Sequence, residues 1–391
     1  MPVTVNIRKP LTDEGDIASA QIQIGQNDYK DYDVWYRATN SPVSDGADTF
    51  LAAMLWPAMK VGGPLRINGR VSASLLRAIP TIQDILTSWC PELQRVTVES
   101  GVRQALEITN GRGVACFFSG GVDSFYTYFK NRDEITHVIF VHGFDFSLQD
   151  EVLRNTVVTA MRKAAAELGK PLLEIETNFR ACTDNYTDWG FYFGSALASV
   201  VLLLAPQFKK IYIPSSHSYS HLHPWGSHPL LDPLWSTDEI EIVHDGCESG
   251  RANKVAYIAQ SDIALRCLRV CWENREGAYN CGRCEKCLRT MISLRAAHAL
   301  DRCPTFQNPL DLSLVARLNA ADVNVKIFLE ENLQAVEAAG HDPHLVQALR
   351  DALDRRYLRG RRERAHQFLD KVINTLNPRR MQRQARHVSQ T

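Results

Sequence analysis

Residues 116–125 read Cys-Phe-Phe-Ser-Gly-Gly-Val-Asp-Ser-Phe, an apolar run that breaks at Ser119-Gly120-Gly121-Val122-Asp123-Ser124 and resumes with helical spacing. This is the pattern of a phosphate-binding loop between a buried strand and a helix. Two adjacent glycines let backbone approach an anion closely, Ser119 and Ser124 add hydroxyls, and the helix that follows turns its unpaired N–H groups and positive dipole end toward the same point. The loop is not of the Walker type, which needs a Lys after its second Gly.

From Gly113 onward, apolar runs at 114–118, 138–141, 172–175 and 211–214 alternate with helical stretches at 124–130, 150–168 and 194–204. That alternation predicts an α/β fold, a parallel sheet with helices on both faces. Ligands of such sheets gather at the carboxyl ends of the strands. The loop at 119–124, residues 142–145 and Ser215 to His217 are therefore expected around one crevice. Residues 1–110 read as a sheet-rich accessory region with short alternating runs at 3–7, 21–24 and 34–36 and helices at 48–56 and 74–89. Residues 111–303 would carry the nucleotide chemistry, and 304–391 a helical, basic region.

The charges exclude little. Forty-four Lys plus Arg balance forty-four Asp plus Glu, so any recognition of a charged partner must be local. Eleven Lys or Arg against two acids between Arg355 and Arg386 could meet RNA phosphates, but aromatics for stacking are sparse there, and a solvated basic helix is the commoner reading. The longest apolar run, Ala196 to Ala205, is too short to span a membrane. The N-terminus lacks the basic-then-apolar layout of a signal peptide, which leads to the expectation of a cytoplasmic protein.

In a reducing compartment, ten cysteines suggest metal ligation. Cys281, Cys284 and Cys287 form Cys-x-x-Cys-x-x-Cys, with Cys271 ten residues upstream. Four soft ligands with Gly282 at the bend suit a closed tetrahedral zinc site, structural because no position stays open. An iron–sulfur cluster takes the same four cysteines, and spacing alone does not separate the two. Of the remaining cysteines, Cys182 and Cys247 lie in polar stretches and are the candidate nucleophiles. The segment from Ser215 to Asp245 holds His217, His221, His223 and His228 among prolines; it reads as a loop over the substrate, with Trp225 and Trp235 as flat walls or as a loop mini-core.

All six positions of Ser119–Ser124 agree with the Ser-Gly-Gly-x-Asp-Ser signature of the PP-loop ATP pyrophosphatases, and the chain resembles that superfamily. Over about residues 112–300, with the four cysteines downstream, it looks most like 7-cyano-7-deazaguanine synthase. The resemblance implies that ATP is split between its α and β phosphates, that a carboxylate or amide oxygen is adenylated, and that nitrogen replaces it. It implies nucleotide contacts at Ser119, Gly120, Gly121, Val122, Asp123 and Ser124, adenine contacts at Val141 and His142, and zinc at Cys271, Cys281, Cys284 and Cys287. Asp123 would place Mg2+. Arg251 and Lys254 share a helix face and are the candidates for phosphate or substrate contacts, with a solvated face as the alternative.

The terminal regions and the loop at 225–235 depart from the synthase pattern, so the expected acceptor is another carboxylate or amide, of a small molecule or a peptide end. With no glutaminase nucleophile in view, nitrogen would come as ammonia or from a partner. The oligomeric state is open, a homo-oligomer included. Two other readings stand beside this one: a sulfur transferase using Cys182, Cys247 or an external sulfide, and a non-enzymatic ATP-binding module.

Overall fold

In the computed structural model, which describes residues 1–8, 16–25, 30–39, 41–104, 111–340 and 342–354, the alternating N-terminal runs form antiparallel strands β1 (Val3–Arg8), β2 (Ile17–Ile24) and β3 (Lys30–Ala38). Their inward residues Val3, Val5, Ile22 and Tyr36 are fully buried, as a period of two requires. Helix α1 (Ala47–Val61), β4 (Leu65–Ser72), α2 (Ala73–Trp89) and β5 (Val98–Arg103) follow, β4 and β5 extending the sheet in parallel beyond β1.

The helix expected at 48–56 continues through Pro57. Proline at that position denies the Ala53 carbonyl its helical donor, and the Tyr192 hydroxyl supplies the missing hydrogen bond at 2.6 Å. The helix stops where Gly62 takes φ +74° and returns its N–H to Ala58 O.

The predicted α/β alternation is present as β6 (Gly113–Phe117), α3 (Val122–Lys130), β7 (His137–His142), α4 (Glu151–Glu167), β8 (Leu172–Thr177), the single turn α5 (Arg180–Thr183), α6 (Trp189–Leu203), β9 (Phe208–Pro214), β10 (Glu241–Asp245), α7 (Arg251–Ile258) and α8 (Asp262–Cys267). Helix α6 begins five residues before its expected start because Asp188 caps it, accepting from Gly190 N at 2.8 Å. Within this half every strand pairing is parallel.

Alternate residues of β6 enter different cores. Ala115 and Phe117 join Ile139, Ile175, Ile211 and Ile213 against α1 and α6, whereas Val114 and Cys116 join Val138, Phe140 and Tyr212 against α3, α4 and α7. Helices therefore cover both faces, and the chain is α/β with a mostly parallel sheet.

The sheet does not end where the sequence divides at residue 110. β3 pairs with β8 through Tyr36–Thr177, Arg37–Glu176 and Ala38–Ile175, giving one order, β10-β9-β6-β7-β8-β3-β2-β1-β4-β5, among the described residues. Tyr36 seals the junction, its ring stacked on Phe179 and its hydroxyl 3.0 Å from Ser199 Oγ. The N-terminal strands and α1 thus share one apolar core with the inner face of the parallel half.

After the cysteine segment, α9 (Glu285–Ala296), α10 (Leu312–Val315), α11 (Val323–Ala339) and a helix over 343–354 pack around Leu288, Met291, Leu329 and Leu349. The basic stretch at 355–386 lies outside the described residues.

Candidate functional site

At the carboxyl end of β6 the chain needs glycine twice. Gly120 takes φ +76°, and a Cβ there would lie 2.5 Å from Met161 Cε. Gly121 is the N-cap of α3 with no side-chain cap, so the N–H groups of the first turn have no helical acceptor. The serines shape this loop. Ser119 Oγ accepts from Gly121 N at 3.4 Å, and Ser124 Oγ donates to Gly121 O at 2.9 Å. Ser124 is buried with its proton committed to the backbone, while the exposed Ser119 can still give its own to a ligand.

Asp123, in the first turn of α3, is met by both residues expected from α7. Arg251 Nη1 bonds Asp123 Oδ2 directly, and Lys254 Nζ lies 3.5 Å from Oδ1 while donating to Ser215 O at 2.7 Å. Positions 251 and 254 point the same way because three residues nearly complete a helical turn. Both side chains are buried, so this face is not a solvated one.

A third cation, unforeseen in the sequence, acts on the same carboxylate through its charge. Arg289 of α9 lies over the Phe328 ring, 3.8 Å from its centroid, with Glu285 at 3.7 Å. Burial pushes Arg289 down to about 10, with Glu285 opposing and Arg251 adding to the shift. Burial would also raise the Asp123 carboxyl, but Arg251, Lys254 and Arg289 prevail and hold it below the ordinary range. Asp123 is therefore ionised.

Several polar atoms around this carboxylate have no partner. Nε of Arg251, Nε of Arg289 and Nδ1 of His217 are buried and unbonded. Leaving buried polar groups unpaired costs free energy that a bound anion or polar ligand would recover. His217 follows β9, stacks on Phe328 at 5.4 Å and touches His223 at 4.4 Å. Burial first and His223 second push it down to about 3, so it is neutral near pH 7. Glu331 of α11 accepts from Arg251 N at 2.7 Å and occupies the start of α7, which leaves the α3 terminus as the open one.

The four expected ligands Cys271, Cys281, Cys284 and Cys287 are brought together, their Sγ atoms all within 4.8 Å of one another. Two pairs, Cys271–Cys284 and Cys281–Cys287, stand at 3.9 Å. A tetrahedron with metal–sulfur bonds of about 2.3 Å has edges of about 3.8 Å, so the set fits a single metal ion such as zinc. A four-iron cluster would spread the sulfurs wider, because each thiolate binds a different iron. Gly282, at φ +66°, makes the bend. Backbone N–H groups of Cys284 and Cys287 point at Cys281 Sγ and Cys284 Sγ, at 3.3 and 3.4 Å. Asn280 braces the strap by accepting from Val270 N and Cys271 N.

This cysteine module sits on the glycine loop. Arg269 N donates to Gly120 O at 2.9 Å, and Cys284 is the N-cap of the helix that carries Arg289. Arg269 itself is buried, bonded to Asn274 Oδ1 at 2.8 Å, with its Nε unpartnered.

Val141 packs into the α6 face, and His142 is held between Glu174 Oε2 at 3.1 Å and Arg154 Nε at 3.3 Å. Cys182 does not sit in polar surroundings: it is buried in the first core, and burial pushes its thiol up to about 12, which removes it as a nucleophile. Trp235 is fully buried core and cannot wall a substrate site, because the turn at Asp232–Trp235 folds inward before β10. Trp225 packs on Phe193, His217 and His223.

Arg289 and Arg269 were hidden in the sequence because each is one basic residue beside a cysteine motif, and only the docking of the module aims them. No helix among the described residues is long and apolar enough to cross a membrane. Among known proteins, no family model matches the chain, and neither curated proteins nor solved structures give a significant match.

Proposed function

We propose that this protein is an ATP-dependent ligase that forms AMP and pyrophosphate, adenylating a carboxylate or amide oxygen and replacing it with nitrogen. One observation carries the reading. An uncapped helix start behind a left-handed glycine carries an ionised aspartate that three buried cations act on, two of which keep unpaired Nε–H donors. Such a site favours a polyanion with a divalent cation.

In this reading the N–H groups at the start of α3 and the O–H of Ser119 hold the phosphates. Arg251, Lys254 and Arg289 neutralise the charge that grows on departing pyrophosphate. Once phosphates draw Arg251 and Lys254 away, Asp123 is free to hold Mg2+, whose preference for oxygen suits a carboxylate. The ion, when bound, supplies charge neutralisation between the phosphates. Neutral His217 can hydrogen-bond the acceptor, and its buried position keeps water away. The four cysteines hold zinc as a structural ion that seats Arg269 and Arg289 over the loop.

The test is exchange of labelled pyrophosphate into ATP with zinc and magnesium present, as candidate carboxylates are added one at a time. Acceptor-dependent exchange that disappears in Asp123→Ala and Arg289→Met supports the ligase. ATP binding with neither exchange nor AMP release under any acceptor overturns it in favour of a binding module.

A further inference from the structure

The ATP chemistry makes no use of the C-terminal helical region, yet one face of its longest helix lines the crevice. On α11, Asn324, Phe328 and Glu331 follow one another at spacings of four and three residues, which aligns them along one side of the helix. Each meets a different wall. Asn324 Oδ1 stands 2.9 Å from His223 Nε2, in the segment after β9. The Phe328 ring is stacked on that of His217, 5.4 Å between centroids and 18° between planes, and the Arg289 guanidinium lies 3.8 Å from its centroid. Glu331 accepts from Arg251 N at 2.7 Å, with its other oxygen 3.4 Å from His221 Nδ1. The three groups with unpaired polar atoms beside Asp123, namely Arg251, Arg289 and His217, are thus all touched by α11.

Packing alone does not account for Phe328. The apolar side of α11 is buried through Leu329 and Val336, in the core that holds Leu288 and Met291. Phe328 is as well buried, at 4% exposed, but belongs to none of the apolar cores. Its ring contacts are with an imidazole and a guanidinium instead. An arginine over an aromatic face is attracted by the negative potential of the ring, most where water is excluded, and its planar head is thereby oriented. Nε of Arg289 is without a partner, and the Glu285 carboxylate at 3.7 Å is beyond hydrogen-bond reach. The ring is therefore what sets the plane of this guanidinium.

We infer that Phe328 is a positioning residue of the anion site, holding the guanidinium of Arg289 and the ring of His217 in the orientation in which they meet phosphate or acceptor, so that the C-terminal helical region forms one wall of that site. The inference rests on the reading of the crevice as a phosphate site. α11 is anchored on either side of the ring, by Asn324 on His223 and by Glu331 on the start of α7. Gly250 makes room for the second anchor, since a Cβ there would lie 2.9 Å from Glu331 Oε1. A ring that only filled space could be replaced by any apolar side chain of its size; one that orients a cation must present a π face.

The experiment is calorimetric titration of the zinc-loaded full chain with inorganic pyrophosphate, in the wild type, Phe328→Leu, Phe328→Tyr and Val336→Ala, together with NMR spectra of the histidine rings without ligand. Leucine keeps an apolar side chain and loses the π face, tyrosine keeps both, and Val336→Ala loosens α11 within its own core. Phe328→Leu should bind pyrophosphate about tenfold more weakly, and Phe328→Tyr should stay within about twofold of the wild type. Val336→Ala should melt earlier and bind as the wild type does. The His217 resonances should move in Phe328→Leu and hold in Phe328→Tyr. Melting curves confirm folding, and Phe328→Met serves if Phe328→Leu does not fold. Wild-type affinity in Phe328→Leu, or an equal loss in Phe328→Tyr or Val336→Ala, overturns the inference. A wild type that takes up no pyrophosphate, while His217 still responds to Phe328→Leu, would sink the phosphate-site reading and leave the placement of His217 by α11 standing.

Discussion

Asp123→Asn tests the electrostatic reading of the crevice without a substrate. The substitution keeps shape and removes the carboxylate that Arg251 and Lys254 share. At 3.5 Å and an effective dielectric of about 20, the Lys254 contact alone amounts to ~5 kcal/mol of gross attraction. Most of that offsets the desolvation of the charges, but an asparagine leaves the cations buried and unpaired, and breaking such a pair costs about 3–5 kcal/mol. Denaturant unfolding should therefore show a loss of that order. Part of the loss should return with inorganic pyrophosphate, since an anion at 100 times its dissociation constant adds about 2.7 kcal/mol. The rescue should be larger in Asp123→Asn than in the wild type, because the anion then replaces the missing charge. A loss under about 1 kcal/mol, or equal stabilisation of both proteins by pyrophosphate, would refute the idea that these cations form an anion site balanced by Asp123.

Four further outcomes are expected. Tyr36→Ala, at the β3–β8 junction, should cost about 3–5 kcal/mol and lower the unfolding of N-terminal and parallel strands together; a separate N-terminal transition that moves alone would contradict the shared core. Stripping metal with a strong chelator, or Cys284→Ser, should weaken ATP binding as well as stability, because the module holds Arg289 and rests on Gly120; unchanged ATP affinity in metal-free protein would count against that link. Burial works against the charged form of His244, but Asp232 Oδ2, 2.8 Å from its Nδ1, prevails and raises it from 6.5 to about 9, so its contribution of up to ~3 kcal/mol is full below pH 6.5 and disappears as pH climbs through 9. The stability gap between wild type and His244→Gln should close over that window, and a constant gap in denaturation curves would refute the assignment. Cys182, pushed up to about 12 in the apolar core, should resist alkylation until the protein unfolds, as labelling at increasing denaturant would reveal.

Much of the site was legible because its requirements are local. Two adjacent glycines before an aspartate impose a turn and an uncapped helix whatever surrounds them, and Gly120 does adopt the left-handed conformation expected of such a loop. Arg251 and Lys254 shared a face by helical period alone. The errors were of another kind. Cys182 sits in a polar-looking stretch, yet α5 and the start of α6 turn it into the first core. For Trp235 the sequence left a flat wall or a loop mini-core open, and the fold decided for burial, making it one of the largest fully buried side chains.

What the sequence determined by itself is therefore the α/β alternation after residue 113, the glycine loop and the membership of the cysteine quartet, since backbone conformation, short-range periodicity and ligand chemistry are written in neighbouring residues. Only the tertiary structure decided that β3 would pair with β8 and merge the N-terminal strands into one sheet, that α9 would bring the charge of Arg289 to bear on Asp123, and that Asp232 and His244 would meet. These contacts depend on strand order and helix docking, which are settled by burying apolar surface between segments far apart in the chain. No local pattern records that choice.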